Sequence, residues 1–339
     1  MARMSTMLRI GVLGAAAIAP SALIKPAREN ARVSVVAVAA RDRVRAAEFA
    51  RRHGVPTVHT DYTELLADPD VDAVYVPLPN GLHAEWTLKA LDAGKHVLCE
   101  KPFTANRAEA ELVADAADAA RAERGLVVME AFHYRYHPLA ERMREIVASG
   151  ELGEVRRIET ALCFPLPRFG DIRYDYGLAG GAAMDAGCYA VHAARLLGGE
   201  PRVVSARALT MRRDPRVDRA MTAELSYPGG ATGRVRASMW SRSLLSMRAR
   251  VVGSDATMSV FNFVAPQVFH RLTVRPPKGG PRRVERVAGP SSYACQLEAF
   301  AAAVLDGGPV LTPARDAVAT MGLLDDVYRA AGLPLRGER

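Results

Sequence analysis

To about residue 131, short apolar runs alternate with helical stretches; beyond that point the pattern changes. Leu8-Arg9-Ile10-Gly11-Val12-Leu13 reads as a buried strand, followed by Gly14 and a string of small residues. Pro20 suits the first turn of a helix, where its missing N–H costs nothing. Val33 to Ala40 is a second strand; Asp42 is placed to cap a helix over Arg43 to His53, which Gly54 ends. Val71 to Val76 is closed by Pro77-Leu78-Pro79-Asn80-Gly81, and a helix from His83 to Ala93 stops at Gly94. His96 to Cys99, an Ala-rich helix from Asn106 to Arg124, and Leu126 to Met129 complete the series. Non-alternating apolar runs belong to strands covered on both faces. Strands interleaved with helices give a parallel, doubly wound sheet of the α/β class.

From residue 132 onward, a helix over Pro138 to Ser149 leads through Gly150 and Gly153 into Val155 to Phe164. Between Val203 and Val287 several strand-like segments follow one another without a helical pattern: Val203-Val204, Met221 to Tyr227, Gly233 to Trp240, Arg248 to Val252, Met258 to Phe263 and Val268 to Val274. Helices near Tyr293 to Leu305 and Ala314 to Ala331 close the chain. This predicts a second, α+β domain with a large, mainly antiparallel open sheet. The expected division is residues 1–131 as the α/β domain and 132–339 as the α+β domain.

Composition adds limits. The 339 residues are 49% hydrophobic and suffice for two domains with a substantial core. The net charge is +8, but the arginines are scattered among acids with no basic block, so nucleic acid is not an expected partner. Cys99, Cys163, Cys188 and Cys295 lie far apart with no C-x-x-C. That argues against a zinc site or disulfide framework and fits a reducing cytoplasm. Met1 to Met7 is a short polar lead-in rather than a signal peptide. No run reaches the ~20 apolar residues of a spanning helix, so no membrane role is expected.

The chemistry gathers at strand ends. Gly14-Ala15-Ala16-Ala17-Ile18-Ala19 occupies the turn where a Rossmann dinucleotide fingerprint belongs, in the degenerate form G-x-A-x-x-A. The first glycine makes the tight turn, and the small Ala16 lets backbone approach a pyrophosphate held by N–H groups near Ala17 and Ile18. The second strand ends in Ala39 and Ala40 instead of a ribose-binding acid, and Arg41 follows. An arginine fork matches a phosphate, which favours NADP(H) over NAD(H), with Arg45 one turn on to assist. Arg41 pairing with Asp42 or a helix acid is the alternative. Glu100-Lys101-Pro102 ends the strand His96 to Cys99, and Lys101 is thereby planted where parallel sheets bind ligands. In Gly180-Gly181-Ala182-Ala183-Met184-Asp185-Ala186-Gly187-Cys188-Tyr189-Ala190-Val191-His192, a glycine turn opens a helix. Asp185, Tyr189 and His192 are spaced to share one face of it. Burying a carboxylate, a phenol and an imidazole on one stripe is costly unless they are used.

Together these residues resemble the Gfo/Idh/MocA oxidoreductases. The motifs are the Gly14 turn, Pro79-Asn80 with His83, Glu100-Lys101-Pro102, the run Glu130-Ala131-Phe132-His133-Tyr134-Arg135-Tyr136-His137-Pro138, and the Gly180 to Tyr189 stretch. Motif detail is most similar to the xylose and dimeric dihydrodiol dehydrogenases. The resemblance implies hydride transfer between nicotinamide and a CH–OH or C=O carbon of a sugar, polyol or cyclic diol. It makes Tyr189 the general acid/base, Lys101 the ammonium that lowers its pKa and binds the substrate oxygen, and Asp185 an orienting carboxylate. Glu100 and Pro102 would hold the lysine's backbone, with a cis peptide before Pro102. Pro79 and Asn80 would border the nicotinamide, with His83 nearby. His133, Arg135, His137, Arg173 and His192 are candidates for substrate contacts, each with a structural role as the alternative. A homodimer or higher homo-oligomer through the exposed face of the second sheet is also implied. Two departures stand out: Ala17 replaces a polar or basic residue, and His133 an apolar one. A non-catalytic regulator of the same fold, or a glycosidase working through transient oxidation, are the competing readings.

Overall fold

The computed structural model describes residues 7–276 and 280–338; residues 1–6 of the Met1 to Met7 lead-in lie outside them. The chain divides into two compact units. One runs to His133 and takes in Tyr293–Val318; the other comprises Tyr134–Ser292 and the residues from Ala319 on.

In the first unit six strands form a wholly parallel sheet: β1 (Leu8–Leu13), β2 (Val33–Ala39), β3 (Thr57–His59), β4 (Ala73–Val76), β5 (His96–Cys99) and β6 (Val128–Glu130). Their order, β3-β2-β1-β4-β5-β6, is that of a Rossmann sheet, with the topological switch between β1 and β4. All four residues of β4 are buried, as the continuous apolar run predicts for a central parallel strand. The helices are capped as their sequences suggest. Asp42 accepts from the N–H groups of Val44 and Arg45 to open Arg43–His53, and Asn106 accepts from Glu109 to open Arg107–Arg124. β3 and the helix Tyr62–Ala67 are absent from the sequence reading; three and six residues are too few for a period to register.

The pattern places everything beyond residue 132 in the second domain, but residues 293–318 pack with the first. Their hydrogen bonds explain this. Thr312 lies along the edge strand β6, where its carbonyl accepts from the Glu130 N–H at 3.0 Å and its hydroxyl donates to the Glu130 carbonyl at 2.6 Å. The exposed edge of the sheet is thus covered by chain from far downstream. The helix Ser292–Asp306 adds ion pairs from Glu298 and Asp306 to Arg32.

The second unit holds an eight-stranded sheet: β7 (Val155–Cys163), β8 (Arg202–Thr210), β9 (Asp218–Ser226), β10 (Thr232–Ser238), β11 (Ser246–Gly253), β12 (Thr257–Phe261), β13 (Arg271–Arg275) and β14 (Arg283–Glu285). The order is β14-β13-β12-β11-β7-β10-β9-β8, and only the β7–β10 pair is parallel. Residues in β10 alternate between exposed and buried, so one face is covered and the other open. The helix Cys188–Gly198 lies on the covered face. The Thr160 hydroxyl donates to the Ala190 carbonyl at 2.8 Å and the Tyr227 hydroxyl to the Ala194 carbonyl at 3.2 Å. All four cysteines are free thiols. Among the described residues no helix is long and apolar enough to cross a membrane.

Candidate active site

The Gly14 turn leaves β1 at the switch point. Gly14 takes φ +108°, and its N–H donates to the Ala39 carbonyl at the end of β2 at 2.7 Å. A Cβ here would lie 3.2 Å from Leu78 Cδ2 and 3.8 Å from the Tyr62 hydroxyl, so the backbone runs close against its neighbours. Ala15 and Ala16 are half-buried, and Ala17 and Ile18 are exposed. The helix that follows begins with a π segment, Pro20–Ile24, before Lys25–Arg28. Arg41, exposed just beyond β2, makes no ion pair with a carboxylate among the described residues, and the adjacent Asp42 caps its own helix. Arg45 reaches back to the Ala15 carbonyl at 3.3 Å. Burial raises the pKa of Tyr62, and the charges of Arg41 and Arg45 act against it. A tight glycine turn, a small-residue opening, alanines rather than an acid at Ala39 and Ala40, and two cations just beyond fit a dinucleotide bearing an extra phosphate.

Lys101 stands at the carboxyl end of β5. The preceding strand is fixed on both sides, by the Glu100 N–H donating to the Val76 carbonyl at 3.2 Å and by the Ala131 N–H donating to the Cys99 carbonyl at 2.7 Å. The Tyr75 hydroxyl donates to Glu100 at 2.5 Å, and the other Glu100 oxygen accepts from the Lys101 N–H at 3.3 Å. The Lys101–Pro102 peptide is cis. Two rings, the buried His133 and the half-buried Tyr293, lie against this corner and stack with centroids 4.1 Å apart and a 33° tilt. Burial, reinforced by the Lys101 ammonium, holds His133 neutral, with its pKa down to about 3. Burial and the Glu100 carboxylate push Tyr293 up to about 12, against the opposing pull of Lys101. The amine therefore sits among uncharged aromatic groups, with Glu100 as the nearby anion.

His83 is held between two backbone carbonyls. It is fully buried, with Nδ1 2.8 Å from the Pro102 carbonyl and Nε2 2.8 Å from the Leu78 carbonyl. It ties the loop after β4, where Pro79 and Asn80 are half-buried, to the loop after β5. Burial lowers its pKa to about 4, so at neutral pH one ring nitrogen carries the proton and donates to its carbonyl, and the other does not donate.

In the second unit the Gly180-Gly181 turn opens Ala183–Gly187 as a π segment that continues into the helix Cys188–Gly198. This amends the simple i, i+4 stripe, because a π turn carries an extra residue. Tyr189 and His192 do share a neighbour: the buried Tyr134 ring has its centroid 6.0 Å from that of Tyr189 and 5.5 Å from that of His192. The Tyr134 hydroxyl is 2.5 Å from His192 Nδ1. Asp185 instead meets Arg173, at 3.4 Å. Arg135 pairs with Glu141 at 3.5 Å, and His137 accepts from the Leu139 N–H to cap the helix Pro138–Ala148. The last two therefore have structural partners.

The sequence reading missed Tyr62, Tyr75, Tyr134 and Tyr293. Tyr134 lies inside a motif that was singled out; Tyr293 comes 192 residues after Lys101 with no local signal.

The sheet order, the glycine turn and the lysine at the end of β5 define a nucleotide-binding oxidoreductase with a separate α+β unit. Residues 8–131 match the model of an oxidoreductase family with an NAD-binding Rossmann fold, and residues 140–259 match the GFO/IDH/MocA C-terminal domain. The chain belongs to the GFO/IDH/MocA oxidoreductase family. It is 42% identical to D-xylose 1-dehydrogenase (NADP(+)) 2 of Haloferax volcanii, over 96% of this chain and 97% of that one. A 3-ketoreductase from Actinomadura kijaniata, solved with NADP and TDP-benzene, matches with TM-score 0.86 and 32% identity, over 96% and 98% of the two chains. An aldose-aldose oxidoreductase from Caulobacter crescentus, complexed with glycerol, matches with TM-score 0.86 and 28% identity over the same shares.

Proposed function

We propose that the protein is an NADP(H)-dependent dehydrogenase or reductase acting at a CH–OH/C=O carbon of a sugar, polyol or cyclic diol. The observation that carries this reading is Lys101 at the carboxyl end of β5, braced by Glu100 and walled by two uncharged rings. When bound, the nicotinamide takes up or gives the hydride. Tyr189 moves the proton: as a phenol it donates to the carbonyl oxygen in reduction, and as a phenolate it accepts the hydroxyl proton in oxidation. A free phenol, with pKa about 10, is a poor base near neutrality. An ammonium brought to the same substrate oxygen corrects this, favouring the phenolate and stabilising the developing oxyanion. Asp185 orients the substrate's hydroxyls, with Arg173 fixing its direction. The 42% identical xylose dehydrogenase makes an aldose the first substrate class to try.

We further read the protein as a cytoplasmic homodimer or higher homo-oligomer, the open face of the eight-stranded sheet serving as the contact surface; light scattering of the purified protein tests the assembly.

The test of function is a turnover screen with NADP+ and NADPH across aldoses, polyols and cyclic diols and their carbonyl partners. Net cofactor turnover that Lys101→Met and Tyr189→Phe both abolish supports the reading. Tight NADPH binding with no turnover of any class overturns it in favour of a regulator, and sugar release without net cofactor change in favour of a glycosidase.

A further inference from the structure

Arg336 lies in the segment that follows the helix Ala314–Ala330, and it is fully buried. Charged side chains are almost never fully buried unless paired, so its partners define its role. Its Nε donates to the Gly180 carbonyl at 2.6 Å, Nη1 to the Pro334 carbonyl at 3.0 Å and Nη2 to Asp218 Oδ1 at 2.9 Å. Asp218 is equally buried. Its Oδ1 also accepts from the Tyr328 hydroxyl at 2.9 Å, and its Oδ2 accepts from the Ala183 N–H at 2.7 Å. The guanidinium carbon stands 4.1 Å from the Tyr328 ring centroid and 5.2 Å from that of Tyr176, whose hydroxyl donates to the Leu335 carbonyl at 2.7 Å. One fork thus grips a single backbone stretch twice, directly at Gly180 and through Asp218 at Ala183.

That stretch is the turn from which Asp185 and Tyr189 are projected. Gly181 has φ +141°, and a Cβ on it would lie 2.2 Å from Asp218 Oδ1 and 2.9 Å from Arg336 Nη2. The Gly181 backbone is therefore pressed against the ion pair. A buried ion pair is at best neutral for stability against apolar residues of the same volume. What it supplies here is direction: the rigid, planar guanidinium fork holds a carbonyl and a carboxylate at fixed relative angles, which the freely rotating donors of an ammonium do not.

We propose that Arg336, acting with Asp218, is a positioning residue for the Asp185–Tyr189 segment; this rests on Tyr189 being the proton-transfer group. It touches neither substrate nor cofactor, and it sets where the phenol and the carboxylate stand. A misplacement of the order of 1 Å costs roughly 100-fold in rate.

The test compares wild type, Arg336→Ala and Arg336→Lys in turnover, NADPH titration and hydrogen exchange. For Arg336→Ala we expect kcat to fall roughly 10- to 100-fold, with NADPH affinity unchanged and exchange faster only in the backbone around 180–190. Guanidinium chloride at non-denaturing concentration should restore part of kcat, and sodium chloride at equal ionic strength should not. Arg336→Lys keeps the charge without the fork and should fall between the two. A folded Arg336→Ala protein with full kcat and unchanged exchange overturns the proposal. Should Arg336→Ala fail to fold, full kcat in Arg336→Lys overturns it. If the wild type turns over no substrate, the functional reading fails separately. Exchange then decides the clamp alone: faster exchange confined to 180–190 supports it, and unchanged exchange overturns it.

Discussion

Two glycine turns, at Gly14 and Gly180-Gly181, each feed a π segment, and they are held in opposite ways. At Gly14 the hold is backbone and apolar: an N–H to the end of the neighbouring strand, with Leu78 and the Tyr62 hydroxyl as the nearest side-chain atoms. At Gly181 the backbone bond to the Arg173 carbonyl is supplemented by a buried carboxylate, a buried guanidinium and two phenols. The difference follows from what each turn has to do. On the proposed function the first turn receives phosphates, and its charges, Arg41 and Arg45, stay out at the rim so that anion and N–H groups can meet. A turn that only aims side chains has no ligand to admit, and protein charges can fill it.

The comparison breaks most sharply at Tyr189. Tyr189→Phe should lower kcat by about 10²- to 10⁴-fold, the usual worth of a general acid/base, and leave NADPH affinity and thermal stability as in wild type. A parallel loss of NADPH affinity would mean that the two turns do not divide the work as argued. Stability separates the glycines next. Gly181→Ala drives a Cβ to 2.2 Å from a carboxylate that three donors hold in place, at a φ of +141°. We expect about 3–4 kcal/mol of destabilisation in denaturant titration. Gly14→Ala meets only Leu78 Cδ2, at 3.2 Å. It should cost about 1–2 kcal/mol and show mainly as weakened NADPH binding. Equal stability losses would refute the contrast.

The same contrast explains what could be read from the chain. The Gly14 turn, the Asp42 cap, Arg41 and the Lys101 corner are contiguous with the strands that place them, so spacing alone locates them. The second turn is legible only as a turn. Asp218 and Arg336, which fix it, lie 37 and 155 residues beyond Gly181, and neither sits in a motif. Tyr293 escapes for the same reason, arriving at the Lys101 corner on a helix that the pattern assigns to the other domain. His83 stands out in the chain as a histidine after Pro79-Asn80, but its carbonyl partners at Leu78 and Pro102 carry no sequence signal. The π segments leave no signature, because one extra residue per turn hardly disturbs a short apolar period.

At the rim of the first turn, Arg41→Ala tests cofactor choice. A charge-assisted hydrogen bond to phosphate is worth about 1.5–3 kcal/mol, so NADPH affinity should fall about 10- to 100-fold with NADH affinity unchanged. Fluorescence titration with both cofactors reads this directly, and equal effects on the two would remove Arg41 from the phosphate site.

The last effect is a pH dependence, read here in the first unit. His83 and His133 are buried there as neutral rings, with pKa values lowered to about 4 and about 3. Unfolded, each would titrate near 6.5. Between those limits the unfolded chain binds more protons than the folded one, so stability is fully present above pH 6.5 and falls as the pH drops toward 4. The slope is at most about 1.4 kcal/mol per pH unit for each ring. The chain has two tryptophans, Trp86 in the helix that His83 opens and Trp240, partly exposed, in the other unit. In a Trp240→Phe background, Trp86 fluorescence therefore follows the unfolding of the first unit alone. We expect its denaturant midpoint to fall steadily from pH 6.5 to 4, and His83→Gln, though less stable at neutral pH, to show a shallower slope. A midpoint that stays flat across that range, or a variant as steep as its parent, would mean that these rings are not held neutral by burial.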